Sequence, residues 1–422
     1  MTTIGGKPRS ESLAIDGGTP VRSEPFPARI QIDQREIDAV LALLQRVARS
    51  GGAFDRYGGT EVDAYEAEFA QHFGTRLATA VSSGTAAIHT AIGALRLDIG
   101  SEIISAPITD PGAVAPILWS NCIPIFADVD PETWNMDPAS VEACVTERTR
   151  AIIACHLAGQ PADMDPIMEI ARRHDLVVIE DCAQAHEAEY KGRKVGSIGH
   201  LSAFSLMSGK HSTSGGQGGM VLTNDEELYW DAKRFADRGK PFNSEETTNL
   251  FLGMNYRMTE LQAAIGRVQL RKLPDIVDRR RQVVAMIGER VQDLQAIRLG
   301  RVIENVKPAY WFLFLRVHRE RLDAPKQQLA EALQAEGVPV SADYAWIMPE
   351  TYWIRERRTY GESRCPWVCP YYGKEVSYEG RLPNAHLARD NHMTLAVHEC
   401  YTEKECDDIA SALRKVEHAY LK

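Results

Sequence analysis

Apolar residues recur along this chain with two different periods. From Gln34 to Arg49 they follow helical spacing, with Ile37, Val40, Leu41, Leu44 and Val47 on one face, and Ser50-Gly51-Gly52 stops the helix. Thr60 is placed to cap a second helix that runs to Phe73. Farther on the apolar runs become short and continuous. Ile103–Ala106, Ile123–Phe126, Ala151–Cys155, Val177–Ile179, Ala203–Leu206 and Met220–Leu222 read as strands buried on both faces. Helical stretches at Ala86–Leu95, Pro138–Val145, Met164–His174 and Asp225–Arg238 separate several of them. Strands alternating with helices predict an α/β domain built on a mostly parallel sheet.

The pattern changes after about Leu270. A charged helix over Asp275–Gln295 leads to a strand at Tyr310–Val317, a helix from Ala324 to Glu336 and a last helix from Thr402. The expected organisation is a mobile N-terminus over residues 1–20, a large α/β domain over 21–270 and a smaller α+β domain over 271–422. No internal repeat or low-complexity tract interrupts it.

Composition narrows the function classes. A chain of 422 residues is long enough for a large core and a second, smaller one. The net charge of -10 argues against nonspecific nucleic-acid binding. With no apolar run of about 18 residues, no membrane span is expected, and the polar, Gly-rich start lacks the apolar stretch of a secretory signal. The cysteines are scattered, and Cys365 and Cys369 are spaced poorly for a zinc knuckle. They read as reduced thiols of a cytoplasmic protein without a metal site.

Three short segments carry residues suited to chemistry. Ser82-Ser83-Gly84-Thr85 follows the apolar Ala78–Val81 and opens a helix whose apolar face is Ile88, Ala91, Ile92 and Leu95. Small residues there leave N–H groups free and let a phosphate come close; they also serve as an ordinary helix cap. Val178-Ile179-Glu180-Asp181-Cys182-Ala183-Gln184-Ala185-His186 puts an acid at the carboxyl end of a buried strand, where open α/β sheets hold ligands. A buried carboxylate there needs a cation, such as a protonated pyridine nitrogen, unless Asp181 only caps the next helix. Ala203-Phe204-Ser205-Leu206-Met207-Ser208-Gly209-Lys210-His211 sends a lysine from a strand into the Gly-rich loop Ser214-Gly215-Gly216-Gln217-Gly218-Gly219. That amine is a nucleophile where desolvation lowers its pKa, and otherwise one more solvated lysine.

Phosphate cup, strand-end Asp, Ser on the next strand and Lys on its loop follow one another within one domain. In this order, and together with Asp128-Val129-Asp130-Pro131 and Gly253-Met254-Asn255-Tyr256-Arg257-Met258, the chain resembles the DegT/DnrJ/EryC1/StrS sugar aminotransferases, which are fold type I pyridoxal-phosphate enzymes. The likeness runs from about Ile15 to the last helix. It implies a large mostly parallel sheet domain plus a smaller α+β C-terminal domain, and pyridoxal 5'-phosphate as cofactor. Carried over by position, Lys210 forms a Schiff base with the cofactor and shuttles the proton. Asp181 keeps the pyridine nitrogen protonated, and Gln184 bonds the ring's phenolic oxygen. Gly84, Thr85 and Ser205 make the phosphate cup. Asn255 reaches the phosphate from the other subunit, so a homodimer with shared sites is implied.

The activity so implied moves an amino group from glutamate or glutamine to a keto-sugar or keto-cyclitol, in amino-sugar or aminocyclitol biosynthesis. A dehydratase on the same fold is the alternative; those relatives carry His at the lysine position, whereas here Lys210 fits the loop spacing and His211 is merely adjacent. A regulator that binds the cofactor without turnover would need a DNA-binding module, for which the N-terminus offers no room. Two departures stand out. Asp110, in Pro107-Ile108-Thr109-Asp110-Pro111-Gly112, occupies the place of the aromatic residue that usually stacks on the cofactor ring, and Glu187 stands where Gly follows Gln-Ala-His. Glu187, His186, Tyr344 and His392 are expected on the substrate side. Trp367, Tyr371 and Tyr372 are expected in local packing or a dimer surface, and Arg279-Arg280-Arg281 on the solvated face of a helix.

Overall fold

The computed structural model describes residues 12–51, 54–344 and 346–422. Met1–Glu11, in the expected mobile N-terminus, and Gly52, in the expected helix stop, lie outside the described residues. From Leu13 onward the chain is packed rather than loose. Leu13 is buried in the second core, and the Glu336 carboxylate accepts the N–H groups of Ala14 (2.8 Å) and Val21 (3.0 Å).

Helix α1 (Gln34–Ser50) starts at a capping box made by Asp33 and Glu36. Its apolar row does not face the core. Leu43 and Glu36 are the buried residues, while Ile37, Leu41 and Leu44 are exposed. Helix α2 (Thr60–Phe73) begins at Thr60 itself, with Gly59 at the cap position and no side-chain cap of its own. The donors are satisfied from a distance: the Glu260 carboxylate accepts Glu61 N–H and Val62 N–H, each at 3.0 Å.

The main sheet is formed by β1 (Leu77–Val81), β2 (Glu102–Ser105), β3 (Ile123–Phe126), β4 (Thr149–Cys155) and β5 (Val177–Asp181). A small hairpin of β6 (Glu189–Tyr190) and β7 (Arg193–Lys194) intervenes, and β8 (Leu201–Ser205) and β9 (Gly219–Thr223) complete the sheet. The strand order is β1-β9-β8-β5-β4-β2-β3, and only β9 runs against its neighbours. All the other strands therefore point their carboxyl ends to one edge. The crossovers are α3 (Gly84–Ala94), α4 (Pro111–Trp119), α5 (Pro138–Ala143) and α6 (Met164–His174), and α7 (Glu226–Ala236) leads out of the sheet after β9. The helix α4 was not expected from the pattern; Asp110 caps it by accepting Gly112 N–H at 2.8 Å, with Pro111 at its first position. One face of the sheet packs on α3 and α7 through Ile88, Ile92, Ile103, Ile153, Ile179 and Val221. The other carries the largest core, which includes Phe69, Phe73, Ile104, Ile152, Val178 and Phe204.

Helix α8 (Glu260–Arg290) begins fifteen residues before the expected Asp275. A capping box of Thr259 and Gln262 sets its start, and it runs through Pro274. Ala263, Leu270 and Leu273 pack into the main core, while Val283, Val284 and Ile287 pack into a second one. That second core lies on an antiparallel sheet. Its strands are β10 (Ile297–Leu299), β12 (Leu313–Val317), β13 (Val340–Ser341) and β14 (His392–Leu395), in the order β10-β12-β14-β13, and β11 (Val306–Lys307) pairs instead with β6. Helices α9 (Lys326–Ala335) and α12 (Glu403–Tyr420) cover it. Between β13 and β14 the chain returns to the main core. Ile347, Met348, Ile354, Trp367, Tyr372, Leu382 and Ala388 all pack there, with α10 (Tyr352–Arg355) and α11 (Pro383–Asn391) on the way. Trp367 donates to the Tyr378 hydroxyl (3.0 Å), which donates to Pro124 O (2.7 Å), and Tyr372 donates to Glu102 (2.8 Å). Tyr371 is exposed.

Candidate active site

The carboxyl ends of the parallel strands meet in one cleft. Ser83, Gly84 and Thr85 follow β1, Thr109 and Asp110 follow β2, Cys155 ends β4, Asp181 ends β5, and Ser205 ends β8. Ala183, Gln184, Met207, Lys210 and Trp311 complete the wall. A doubly wound sheet places ligands at this edge. At the cup, Gly84 opens α3; Ser83 Oγ caps Ala86 N–H (3.0 Å), which leaves the Gly84 and Thr85 N–H groups to meet an anion. A Cβ at Gly84 would stand 2.6 Å from Ser205 Cβ, so only glycine lets the start of α3 close on the end of β8 there.

Asp181, at the end of β5, and Lys210, on the loop after the neighbouring β8, both line this cleft. Burial pulls the Lys210 amine below the ordinary lysine range, with Asp181 and Asp110 pulling the other way. Burial likewise lifts Asp181 above the ordinary carboxylate range, against the N–H of Ala183 (3.0 Å) and the charge of Lys210. Gln184 is held on both sides: its oxygen accepts Ala158 N–H (2.8 Å) and its amide donates to the Tyr344 hydroxyl (2.6 Å). Tyr344 thus touches the cleft through its bond to Gln184.

Other candidates lie elsewhere. Glu187 adopts a left-handed turn (φ 65°) and pairs with His72 and with Lys194 (2.8 Å), while its carbonyl accepts from Arg281 (2.6 Å). It is bound away from the cleft and is not a substrate-side acid. His186 is buried between the rings of Phe204 (5.5 Å) and His211 (5.6 Å), outside the cleft wall, and burial pushes it down to about 3. His392 belongs to the second sheet, edge-on to Trp134 (5.7 Å) and bonded to Ala388 O (3.0 Å). Asn255 is exposed, at a single bridge to Asp237, and does not enter the cleft of its own chain. The basic run is not a solvated face either, because Arg280 is fully buried.

The aromatic residue in the cleft wall is Trp311, with the Lys210 Nζ 3.8 Å from its ring centre. No local signal marks it: it sits in an apolar run that reads as strand, and its place depends on the pairing of Trp311 N–H with Ala158 O (3.0 Å) across the fold. Among the described residues, His156, Glu180 and Cys182 lie close enough together to share a metal. The His156 and Glu180 side chains are already bonded to each other (3.0 Å), and Glu180 also accepts Gly196, Ile198 and Gly199 N–H.

These residues fit pyridoxal phosphate. Asp181 is a buried carboxylate whose protein partner is one backbone N–H; a pyridinium nitrogen would supply the missing cation. The cup at Gly84 is an anion site of the kind a phosphate takes. Lys210 is a desolvated amine in the same cleft.

Comparison with known proteins agrees. The family model for DegT/DnrJ/EryC1/StrS aminotransferases matches residues 31–414. An L-glutamine:2-deoxy-scyllo-inosose aminotransferase from Streptomyces kanamyceticus is 35% identical, over 80% of this chain and 81% of its own. A GDP-perosamine synthase from Escherichia coli O157:H7 is 36% identical, over 65% of this chain and 75% of its own. The X-ray structure of the aminotransferase from Psychrobacter cryohalolentis superposes with a TM-score of 0.81 at 32% identity, over 94% of this chain and 99% of that one. With the strand-end lysine and aspartate in one cleft and the match spanning both sheets, the chain belongs to the DegT/DnrJ/EryC1/StrS aminotransferase family and is a pyridoxal-phosphate-dependent aminotransferase.

Proposed function

We propose that this aminotransferase moves the amino group of glutamate or glutamine to a ketone on a sugar or cyclitol ring, and that it works as a homodimer. The names of the relatives support the acceptor class: one concerns a scyllo-inosose and glutamine, the other GDP-perosamine. The observation that carries the chemistry is the meeting of Lys210 and Asp181 in one cleft beside the Gly84 cup. When bound, the cofactor accepts the amino group and spreads the electron pair left at the donor's Cα over its ring.

The chain's own residues do the rest. Lys210 would hold the cofactor at rest and, as a free base, would take the proton from the donor's Cα. Its desolvation lowers the cost of giving up that amine's proton. In the return half it delivers a proton to the acceptor carbon. Asp181 keeps the pyridine nitrogen protonated. Gln184, fixed by Ala158 and Tyr344, has a second amide N–H to give the phenolic oxygen. Gly84, Thr85 and Ser205 hold the phosphate, with Asn255 of the second copy. Support for the dimer is the exposed apolar row Ile37, Leu41 and Leu44 on α1, and Leu252 and Met254 exposed beside Asn255. Unpaired cysteines, several of them buried, support a reducing, cytoplasmic setting.

Borohydride reduction of the loaded protein followed by peptide mapping tests the assignment. The cofactor is expected on Lys210, and attachment to any other lysine overturns it. Adding glutamine or glutamate alone should change the cofactor absorbance, and the correct hydroxylated ketone should restore it.

A further inference from the structure

A buried ion cluster stands behind the cleft. Glu399, just ahead of α12, accepts Arg29 Nε with one carboxylate oxygen and Arg280 Nε with the other (3.0 Å). Arg29 then donates to two carbonyls of the lysine loop, Lys210 O (2.5 Å) and His211 O (2.7 Å). Gln31 adds a bond to Lys210 O (3.0 Å). On the other side Arg280 donates to Tyr310 O (3.0 Å) and Trp311 O (3.1 Å), and also to His398 Nδ1 (3.2 Å). One carboxylate thus binds two guanidinium groups, and those grip the backbone of Lys210 from one side and of Trp311 from the other. The Trp311 indole N–H closes the ring by donating to Gly209 O (3.1 Å).

The cluster is expensive to bury. The side chains of Arg29, Arg280 and Glu399 are 8%, 0% and 16% exposed, and burial pulls Arg280 down to about 10 against the pull of Glu399. Apolar residues of like volume would serve stability about as well. What they could not do is hold four carbonyls at fixed places on both sides of the Lys210–Trp311 contact, where Nζ and ring centre are 3.8 Å apart. We propose that Glu399 is a positioning residue for the Lys210 amine: by drawing Arg29 and Arg280 together, it sets the spacing between the lysine loop and the Trp311 wall. This rests on the reading of Lys210 as the reactive amine.

The test uses full-length, cofactor-loaded protein carrying Glu399→Gln or Glu399→Asp. Steady-state constants for the donor, thermal unfolding and the pH midpoint of the cofactor absorbance are measured together. A misplaced reacting group typically costs on the order of 100-fold. Glu399→Gln is expected to lower kcat by about 10- to 100-fold with little change in KM, and to move the absorbance midpoint by about one pH unit. Glu399→Asp is expected to recover most of both. If Glu399→Gln unfolds, Arg29→Gln, which leaves the Arg280–Glu399 pair in place, carries the same expectation. A folded Glu399→Gln protein with unchanged kcat and midpoint overturns the proposal, and where Glu399→Gln unfolds, a folded Arg29→Gln protein with both unchanged does the same. Peptide mapping after borohydride separates the two readings. Cofactor on Lys210 with an indifferent Glu399 removes the clamp alone, whereas cofactor on another lysine removes the reading of Lys210.

Discussion

A carboxylic acid buried at a strand end either takes up a proton or finds a cation. Asp181 has one backbone N–H and the nearby Lys210 for company, which leaves room for the pyridinium. Asp181→Asn keeps the shape and removes the charge. In loaded protein its turnover is expected to fall by about 3 kcal/mol of barrier, the usual cost of losing one preorganised electrostatic contact, with the fold intact; near-normal turnover would contradict that role. His392 makes a different point. Burial pushes it down to about 4 from 6.5, and its Nε2 has no partner among the described residues. A group whose folded pKa is depressed favours the fold fully above the unfolded value and loses that contribution as pH falls. The window therefore runs from about 6.5 down to about 4. Unfolding free energies from urea titrations across it should decline less steeply in His392→Phe, by up to about 1.4 kcal/mol per pH unit. Equal slopes in both proteins would assign the acid sensitivity to other groups. Lys210 and Asp181 were legible because each follows its strand at short range. Glu187 and His392 were misread because neighbouring sequence does not say which way a left-handed turn or an irregular return will aim a side chain.

Among the elements, strands buried on both faces announced themselves by continuous apolar runs, and their number and spacing gave away the parallel sheet. The ends of helices were harder. The charged stretch over Asp275–Gln295 is only the second half of α8: the capping box of Thr259 and Gln262 lies far upstream, and packing against both cores carries the helix through Pro274. At α2 the reading of Thr60 as cap failed because the acceptor comes from Glu260, distant in sequence and close in space. Glu260→Ala would leave two N–H groups of that first turn unsatisfied, Val62 N–H among the buried ones. The expected loss is about 1–3 kcal/mol in unfolding free energy, with α2 the first segment to gain amide exchange. Protection in α2 equal to the parent's would show that water replaces the carboxylate without cost.

Two copies of the molecule are needed for the site we propose. Chains with Lys210→Ala and chains with Asn255→Ala should each be nearly inactive, and mixing them after mild dissociation should restore part of the activity. One of the two sites in a hybrid then has both groups. No recovery, or sedimentation as a fully active monomer, would remove the shared site. The path of the single chain has a consequence of its own. Residues 347–388 leave the second sheet, settle on the main core and go back again, so neither body can be peeled away as a contiguous piece. Such lacing ought to make the backbone tolerant of a cut. A protease nick at the exposed Arg301 should yield two fragments that travel together on a sizing column and come apart only in denaturant. It should also leave a single melting step, because each fragment holds part of what the other needs to stay folded.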